Sequence, residues 1–103
     1  MCGIIAGIAP NVCEILLDGL KQLQNRGYDS AGFTLLNNEM TTFKKASVGD
    51  RSALNEIEHF LNENDVTNET IGIAHTRWAT HGAKTDINSH PHQSQNKLFT
   101  VVH

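Results

Sequence analysis

The sequence predicts an α+β fold, and three observations support this prediction. Residues 3–9 form an apolar run rich in β-branched side chains, which indicates a fully buried strand. Apolar residues at helical spacing follow over residues 12–23, which is typical of a helix with one buried face. Two strand-like segments then flank the turn-prone residues 37–39, which predicts an antiparallel hairpin. The predicted order is strand, helix, hairpin, helix, strand, loop and strand, a mixed α+β pattern.

The first helix has start and stop signals as well as an apolar stripe. Asn11 stands three residues before Glu14, which is a capping arrangement for a helix start. Gly27 suits the position after the helix, because that position often needs a positive φ. The residues predicted to form the buried face are Val12, Ile15, Leu16, Gly19, Leu20 and Leu23.

The next elements are predicted from shorter patterns. The hairpin strands cover residues 32–36 and 40–45, and a second helix runs from Ser52 to about residue 61. The inward residues of this helix are Leu54, Ile57 and Leu61. Residues 62–68 are polar and predict a loop before the next strand.

The last third of the chain is predicted as two strands, residues 70–78 and 98–103, joined by a long polar segment. This segment, residues 80–96, shows no periodicity, and a connection of that length is usually functional or mobile. Because the last strand runs directly to the final residue, the sequence predicts an unfinished sheet.

Composition limits the function classes. The 103 residues suffice for one small domain, and the formal net charge of −3 comes from interspersed acids and bases. There is no basic stripe for nucleic acid, no apolar run of about 20 residues for a membrane, and no basic region typical of a secretory signal. Two cysteines are too few for a disulfide scaffold, so a cytoplasmic location is expected.

Cys2 is the first candidate for chemistry. A small residue after Met1 allows removal of the initiator methionine, which would leave Cys2 with a free α-amine. An α-amine has a reference pKa of about 7.7–8.0, so it can accept the thiol proton without a histidine. The geometry within one residue is poor for a direct hydrogen bond, and a bridging water is therefore the expected relay.

Several motifs, in order along the chain, resemble the glutaminase domain of the class II glutamine amidotransferases, which use an N-terminal nucleophile. These motifs are Cys-Gly-Ile-Ile at residues 2–5, Arg-Gly-Tyr-Asp-Ser-Ala-Gly at 26–32, His-Thr-Arg-Trp-Ala-Thr-His-Gly at 75–82 and Asn-Ser-His-Pro-His at 88–92. The resemblance covers the chain from Cys2 to His103. It implies an N-terminal nucleophile hydrolase fold, an αββα four-layer sandwich that would be incomplete here.

The resemblance implies a role for each matching residue. Cys2 would be the nucleophile, and Arg77 would bind the α-carboxylate of glutamine through two parallel hydrogen bonds. Trp78 would lie at the base of a loop that closes over the substrate. Thr80 and His81 would line the glutamine pocket. Four residues would support the nucleophile from the turn after the first helix, namely Arg26, Gly27, Asp29 and Ser30.

Plainer interpretations exist for several of these residues. Arg77 could form an ordinary surface ion pair, Trp78 could be a partly buried aromatic plug, and Asp29 with Ser30 could stabilise a structural turn. A zinc site built from the histidines of the polar segment, His81, His90 and His92, would usually need another ligand. The motif accounts for these histidines without a metal, so neither a metal nor a cofactor is expected.

Within the family, the motifs favour the branch that forms glucosamine 6-phosphate. The resemblance then implies glutamine and fructose 6-phosphate as substrates. It also implies a homodimer or a larger assembly. The chain would be the N-terminal part of the glutaminase domain, residues 1–103. The synthase domain would be absent, as would the Asn-Gly pair of the oxyanion hole and an aspartate that binds the substrate amine. The alternatives are the glutaminase part of an amidophosphoribosyltransferase, and an inactive fragment that regulates or binds a partner.

Overall fold

The structure is a computed structural model that describes residues 2–23, 29–64, 69–78 and 82–103. Within these ranges the chain forms two α-helices and six β-strands. The elements in chain order are β1 (Gly3–Ile8), α1 (Val12–Leu23), β2 (Ser30–Leu36), β3 (Met40–Ala46), α2 (Ala53–Glu63), β4 (Ile71–Arg77), β5 (His92–Gln93) and β6 (Thr100–Val101). The predicted α+β class is confirmed.

Four of these strands form one antiparallel sheet in the order β1-β4-β2-β3. In the register, Gly3 of β1 pairs with Thr76 of β4, and Ser30 of β2 pairs with Arg77 of the same strand. The predicted hairpin is β2–β3, in which Leu36 pairs with Met40 at the turn. Strand β4 therefore lies between the N-terminal strand and the hairpin, and it brings the start of β1 next to the start of β2.

Both helices pack on one face of the sheet. Leu16 and Leu20 of α1 and Ile57 of α2 are buried against Phe33 and Leu35 of β2. Phe33 also contacts the rings of Phe43 and Phe60, which stack on each other with centroids 4.4 Å apart. The core thus lies between the helices and the face of the sheet formed by alternate strand residues.

The apolar stripes of the helices are largely as predicted. On α1, Val12, Leu16 and Leu20 are buried, whereas Ile15 is exposed and Leu23 is only partly buried. Ile15 is exposed because it lies at the edge of the stripe, away from the helix α2 and strand β2 contacts. Helix α2 begins as predicted after Ser52, whose hydroxyl accepts a hydrogen bond from the Asn55 amide at 3.4 Å.

Strand β1 differs from the prediction, because it is not fully buried. It lies at the edge of the sheet, and its residues alternate between partly buried and exposed. Ile5 faces α1 and packs against the core, whereas Ile4 and Ile8 on the other face are 52% and 81% exposed. A run of β-branched residues does not show by itself that a layer covers both faces of a strand.

The last predicted strand is also much shorter than expected. Within residues 98–103 the strand is limited to Thr100–Val101, which pairs with His92–Gln93 in a two-stranded sheet. Leu98 and Phe99 are exposed and take part in the turn between these strands. The polar segment therefore contains a strand of its own. In the described part of the chain, no helix is long and apolar enough to span a membrane.

Candidate functional site

The predicted nucleophile and the predicted carboxylate ligand lie at the same end of the sheet. Gly3 and Thr76 form the last pair between β1 and β4, and both face α1, since a Cβ on Gly3 would lie 2.9 Å from the Thr76 hydroxyl. Arg77 is the next residue of β4, and Cys2 is the residue directly before β1. Because strand side chains alternate, Arg77 lies on the face opposite the helices, and the same alternation predicts that face for Cys2.

Arg77 is buried at this end of β4, with only 8% of its surface exposed. Its Nη1 donates a hydrogen bond of 3.2 Å to the carbonyl oxygen of Ala83, so the loop that follows the strand folds back over the guanidinium. Gly82 has a φ of +81°, and a Cβ there would lie 3.5 Å from Arg77 Nη2. The arginine is thus held in a shaped recess and is not an ordinary surface residue. Cys2 is exposed beside it on the sheet end.

Asp29 connects three segments at this end of the sheet. Its backbone amide donates to the Arg77 carbonyl at 2.7 Å, and its own carbonyl accepts from the Ser47 amide at 2.8 Å. Its carboxylate forms an ion pair of 3.0 Å with Lys84 in the loop after β4. These contacts fix the backbone on which Arg77 stands, and the predicted support of Cys2 by Asp29 stays a prediction.

Ser30 lies beside Arg77 on β2 and is completely buried. Its hydroxyl oxygen has no hydrogen-bond partner among the residues that the structure describes. A buried hydroxyl without a partner is costly. Its position next to Arg77 is compatible with the predicted support of the site.

The segment from Asp86 to Pro91 covers the face of β2 and β3 opposite the helices. Lys44 Nζ donates to the Ser89 carbonyl at 3.0 Å, and the Asp86 carboxylate accepts from the Ala46 amide at 2.7 Å. Burial lowers the pKa of Lys44, and the charge of Asp86 partly opposes this effect. The His90 carbonyl lies directly against Gly32, where a Cβ would overlap it. Gly32 therefore allows the backbones of β2 and of this segment to approach closely.

Three histidines form a cluster next to this segment, which the sequence did not predict: His75 and His90 are stacked, and His92 is tilted against His90. The rings of His75 and His90 lie 4.2 Å apart between centroids, and those of His90 and His92 lie 4.4 Å apart. His75 is fully buried and its Nε2 lies 2.7 Å from the carbonyl oxygen of His103. Burial, followed by the charges of neighbouring histidines, lowers the pKa of His90 to about 4. Burial also lowers the pKa values of His75 and His92.

Several predicted site residues lie outside the described part of the chain. These residues are Arg26, Gly27, Thr80 and His81. Trp78 is described and is 47% exposed at the end of β4, directly after Arg77. Among the described residues, no group of three or more histidine, cysteine or acidic side chains is arranged to hold a metal ion. Cys13 packs against the core, and burial raises the pKa of its thiol.

Sequence comparisons identify the relatives of this chain. No family model matches it. The glutamine–fructose-6-phosphate aminotransferase (isomerizing) of Caldanaerobacter subterraneus subsp. tengcongensis is 51% identical over 104 aligned positions, which cover 100% of this chain and 16% of the relative. The proteins of the same name from Geobacillus kaustophilus and Staphylococcus aureus are 46% and 45% identical, with the same coverage.

These comparisons confirm the predicted resemblance to the glutamine amidotransferases. More specifically, the chain is similar over its whole length to proteins named glutamine–fructose-6-phosphate aminotransferase. It spans about a sixth of the length of these relatives. Similarity at this level, together with the fold and the position of Cys2 next to Arg77, is the basis for assigning a function to the site.

Proposed function

We propose that this chain carries part of a glutaminase site, in which Cys2 attacks the side-chain amide of glutamine and Arg77 binds its α-carboxylate. The observation that carries the proposal is the register of β1 and β4, whose last pair, Gly3 with Thr76, is followed at the same end of the sheet by Cys2 on one chain segment and Arg77 on the other. A cysteine thiol and a guanidinium so arranged suit a substrate with an amide at one end and a carboxylate at the other.

The proposed chemistry begins with transfer of the Cys2 thiol proton to its own α-amine, once Met1 has been removed. The thiolate attacks the amide carbon, and a bond from Sγ to carbon forms. The protonated amine gives its proton to the amide nitrogen, the carbon–nitrogen bond breaks, and ammonia leaves a thioester on Cys2. Water then attacks the thioester, which releases glutamate and restores the thiol.

Arg77 suits the binding of a carboxylate for two reasons. Its planar guanidinium can form two parallel hydrogen bonds with the two oxygens of the substrate, which a lysine cannot reproduce. It is also largely withdrawn from water, so a charge-assisted hydrogen bond there is stronger than at an exposed position. Trp78, half exposed beside it, would form the base of a cover over bound substrate, and Thr80 with His81 would line the pocket.

In the whole protein, we propose that ammonia from this site converts fructose 6-phosphate to glucosamine 6-phosphate on a separate synthase domain. This second reaction rests on the names of the relatives, which are aminotransferases of fructose 6-phosphate. The present chain would then be the N-terminal part of the glutaminase domain, in an N-terminal nucleophile hydrolase fold. The exposed apolar face of β1, with Ile4 and Ile8, is the surface that a second layer of that fold would cover.

The proposal can be tested by measuring intact mass after treatment with a diazo-ketone analogue of glutamine at neutral pH. We expect a chain that lacks Met1 and carries one adduct on Cys2. Arg77→Ala should reduce the rate of labelling strongly, because the analogue binds through its carboxylate. Reaction with iodoacetamide, which has no carboxylate, should change little in the same variant and serves as the control for exposure of the thiol.

A folded and processed protein that forms no adduct would contradict the proposal. In that case the chain would be better described as an inactive module that binds a partner. Labelling that is equally fast in Arg77→Ala would refute the assignment of Arg77 while leaving the nucleophile in place.

A further inference from the structure

The backbone carbonyl that accepts a hydrogen bond from Arg77 also accepts one from the side chain of Asn88. The Ala83 carbonyl oxygen that accepts from Arg77 Nη1 at 3.2 Å also accepts from Asn88 Nδ2, at 2.9 Å. The two donors come from either side of the loop after β4. A Cβ on Gly82 would lie 3.4 Å from the Asn88 amide nitrogen and 3.5 Å from Arg77 Nη2, so both groups border the same recess.

The Asn88 side chain is itself fixed by the local fold. Its backbone amide donates to the Thr85 hydroxyl at 3.3 Å, and the hydroxyl of the next residue, the fully buried Ser89, donates to the Thr85 carbonyl at 2.8 Å. Asp86, which lies between Thr85 and Asn88 in the sequence, accepts a hydrogen bond from the Ala46 amide of β3 at 2.7 Å. Asn88 is therefore attached to the sheet from one side of the loop.

The other side of the loop is attached through a different contact. Lys84, next to Ala83, pairs with Asp29 at 3.0 Å, and the Asp29 amide donates to the carbonyl of Arg77 itself. Ala83 thus lies between two anchored neighbours, and its carbonyl has a defined position relative to the arginine backbone. The Thr85 amide also donates to this carbonyl, at 3.1 Å, and Asn88 adds a side-chain donor that helps to orient it towards the guanidinium.

We propose that Asn88 is a positioning residue for Arg77, acting through the Ala83 carbonyl, and that it sets the affinity of the site for the substrate carboxylate. The inference rests on the proposed function of Arg77. Asn88 donates one N–H to Ala83 and keeps the guanidinium plane at the angle at which a carboxylate is bound by two hydrogen bonds. Without Asn88, the Ala83 carbonyl loses one of the donors that orient it towards the guanidinium, and part of the free energy of carboxylate binding is used to order the two groups.

Asn88→Asp tests this role most directly, because it replaces the side-chain amide by a carboxylate. Asn88→Asp has nearly the same shape, so the loop should fold, but it cannot donate to Ala83. Its negative charge would instead attract the Arg77 guanidinium and compete with the substrate carboxylate. Asn88→Ala only removes the donor. We therefore expect Asn88→Asp to weaken substrate binding more than Asn88→Ala does.

The test uses the intact protein that carries this segment, with glutamine turnover and Cys2 alkylation as readouts. We expect Asn88→Ala to raise KM for glutamine about fivefold, the size of one net hydrogen bond, with kcat nearly unchanged. Asn88→Asp should raise KM about tenfold or more. Labelling by the diazo-ketone analogue should slow in parallel, whereas labelling by iodoacetamide should not. Asn96→Ala is the matched control, since it removes loop hydrogen bonds to Ser94 and Leu98 far from the site.

The outcomes separate this inference from the proposed function. If the unsubstituted protein neither turns over glutamine nor forms an adduct on Cys2, the proposed function fails. If it does both and depends on Arg77, but both Asn88 variants behave like Asn96→Ala, only the positioning role is refuted. Equal slowing with both electrophiles would also refute it, because that result indicates general damage to the site.

Discussion

The replacement Gly32→Ala should destabilise the protein by a clash that can be worked out from the structure. A Cβ at residue 32 would overlap the His90 carbonyl oxygen and lie 2.7 Å from the Lys44 Cβ and 3.1 Å from the Phe43 carbonyl. Two of these three atoms belong to the backbone and cannot rotate away. The His90 carbonyl cannot retreat easily either, because Lys44 holds the Ser89 carbonyl at 3.0 Å.

The expected cost follows from overpacking, which typically removes about 1–3 kcal/mol, and this clash belongs at the upper end. Alanine also restricts the unfolded chain more than glycine does, and this offsets about 0.4–1 kcal/mol of the lost stability. We therefore expect a net loss of about 2 kcal/mol in the free energy of unfolding, measured by urea denaturation with circular dichroism. The shift in Tm should be about 10 °C for a domain of this size.

Gly7→Ala is the matched control for this measurement. Gly7 also lies within a strand, but a Cβ there would meet its nearest neighbour, Val12 Cγ2, at an ordinary distance of 3.5 Å. It should be neutral or slightly stabilising. If Gly32→Ala is as stable as Gly7→Ala, the segment that covers β2 does not lie against Gly32, and the described geometry of the histidine cluster would be wrong as well.

Three further predictions concern stability. Ile57→Ala should cost about 2–5 kcal/mol in urea denaturation, because Ile57 is completely buried between α2 and the sheet; a loss below 1 kcal/mol would show that the cavity collapses. Ser52→Ala should cost about 0.5–1 kcal/mol, since the capping hydrogen bond is long at 3.4 Å, and an unchanged midpoint would exclude the cap. The pKa of His90 is about 4 in the folded protein and about 6.5 in the unfolded chain, so the unfolded chain takes up a proton at a higher pH. The contribution of neutral His90 to the free energy of unfolding is therefore complete above pH 6.5 and is lost as the pH falls towards 4. His90→Gln should make the fall of the urea midpoint between pH 7 and 4.5 shallower, and identical slopes would contradict this assignment.

The elements that the sequence predicted correctly are those with a local periodic signal. Leu16 and Leu20 of α1 and Ile57 of α2 repeat at helical spacing, and all three are buried in the structure. The hairpin was predicted because its turn residues lie next to each other in the sequence. The expectation that Cys2 and Arg77 belong to one site came from the resemblance to a family, and not from any local pattern.

The features that the sequence did not predict depend on contacts between distant residues. The exposure of Ile4 and Ile8 follows from the position of β1 at the edge of the sheet, which an apolar run cannot specify. The histidine cluster joins His75 to His90 across the β4–β5 connection. Asn88 was part of a recognised motif, but its contact with the Ala83 carbonyl depends on how the loop folds back over Arg77.

The register of β1 explains why these distant residues form one site. Strand side chains alternate, so a slip of one residue between β1 and β4 would move Cys2 to the helix side of the sheet, away from Arg77. Gly3 helps to exclude such a slip, because it lies so close to α1 that a Cβ there would be 2.5 Å from a Leu23 methyl group. A side chain at this position would displace the Leu23 methyl groups and the Thr76 hydroxyl, which lies 2.9 Å away, whereas glycine allows the strand to approach the helix. The glycine next to the predicted nucleophile therefore contributes to the proposed site without touching a substrate, since it favours the register that places Cys2 at the same end of the sheet as Arg77.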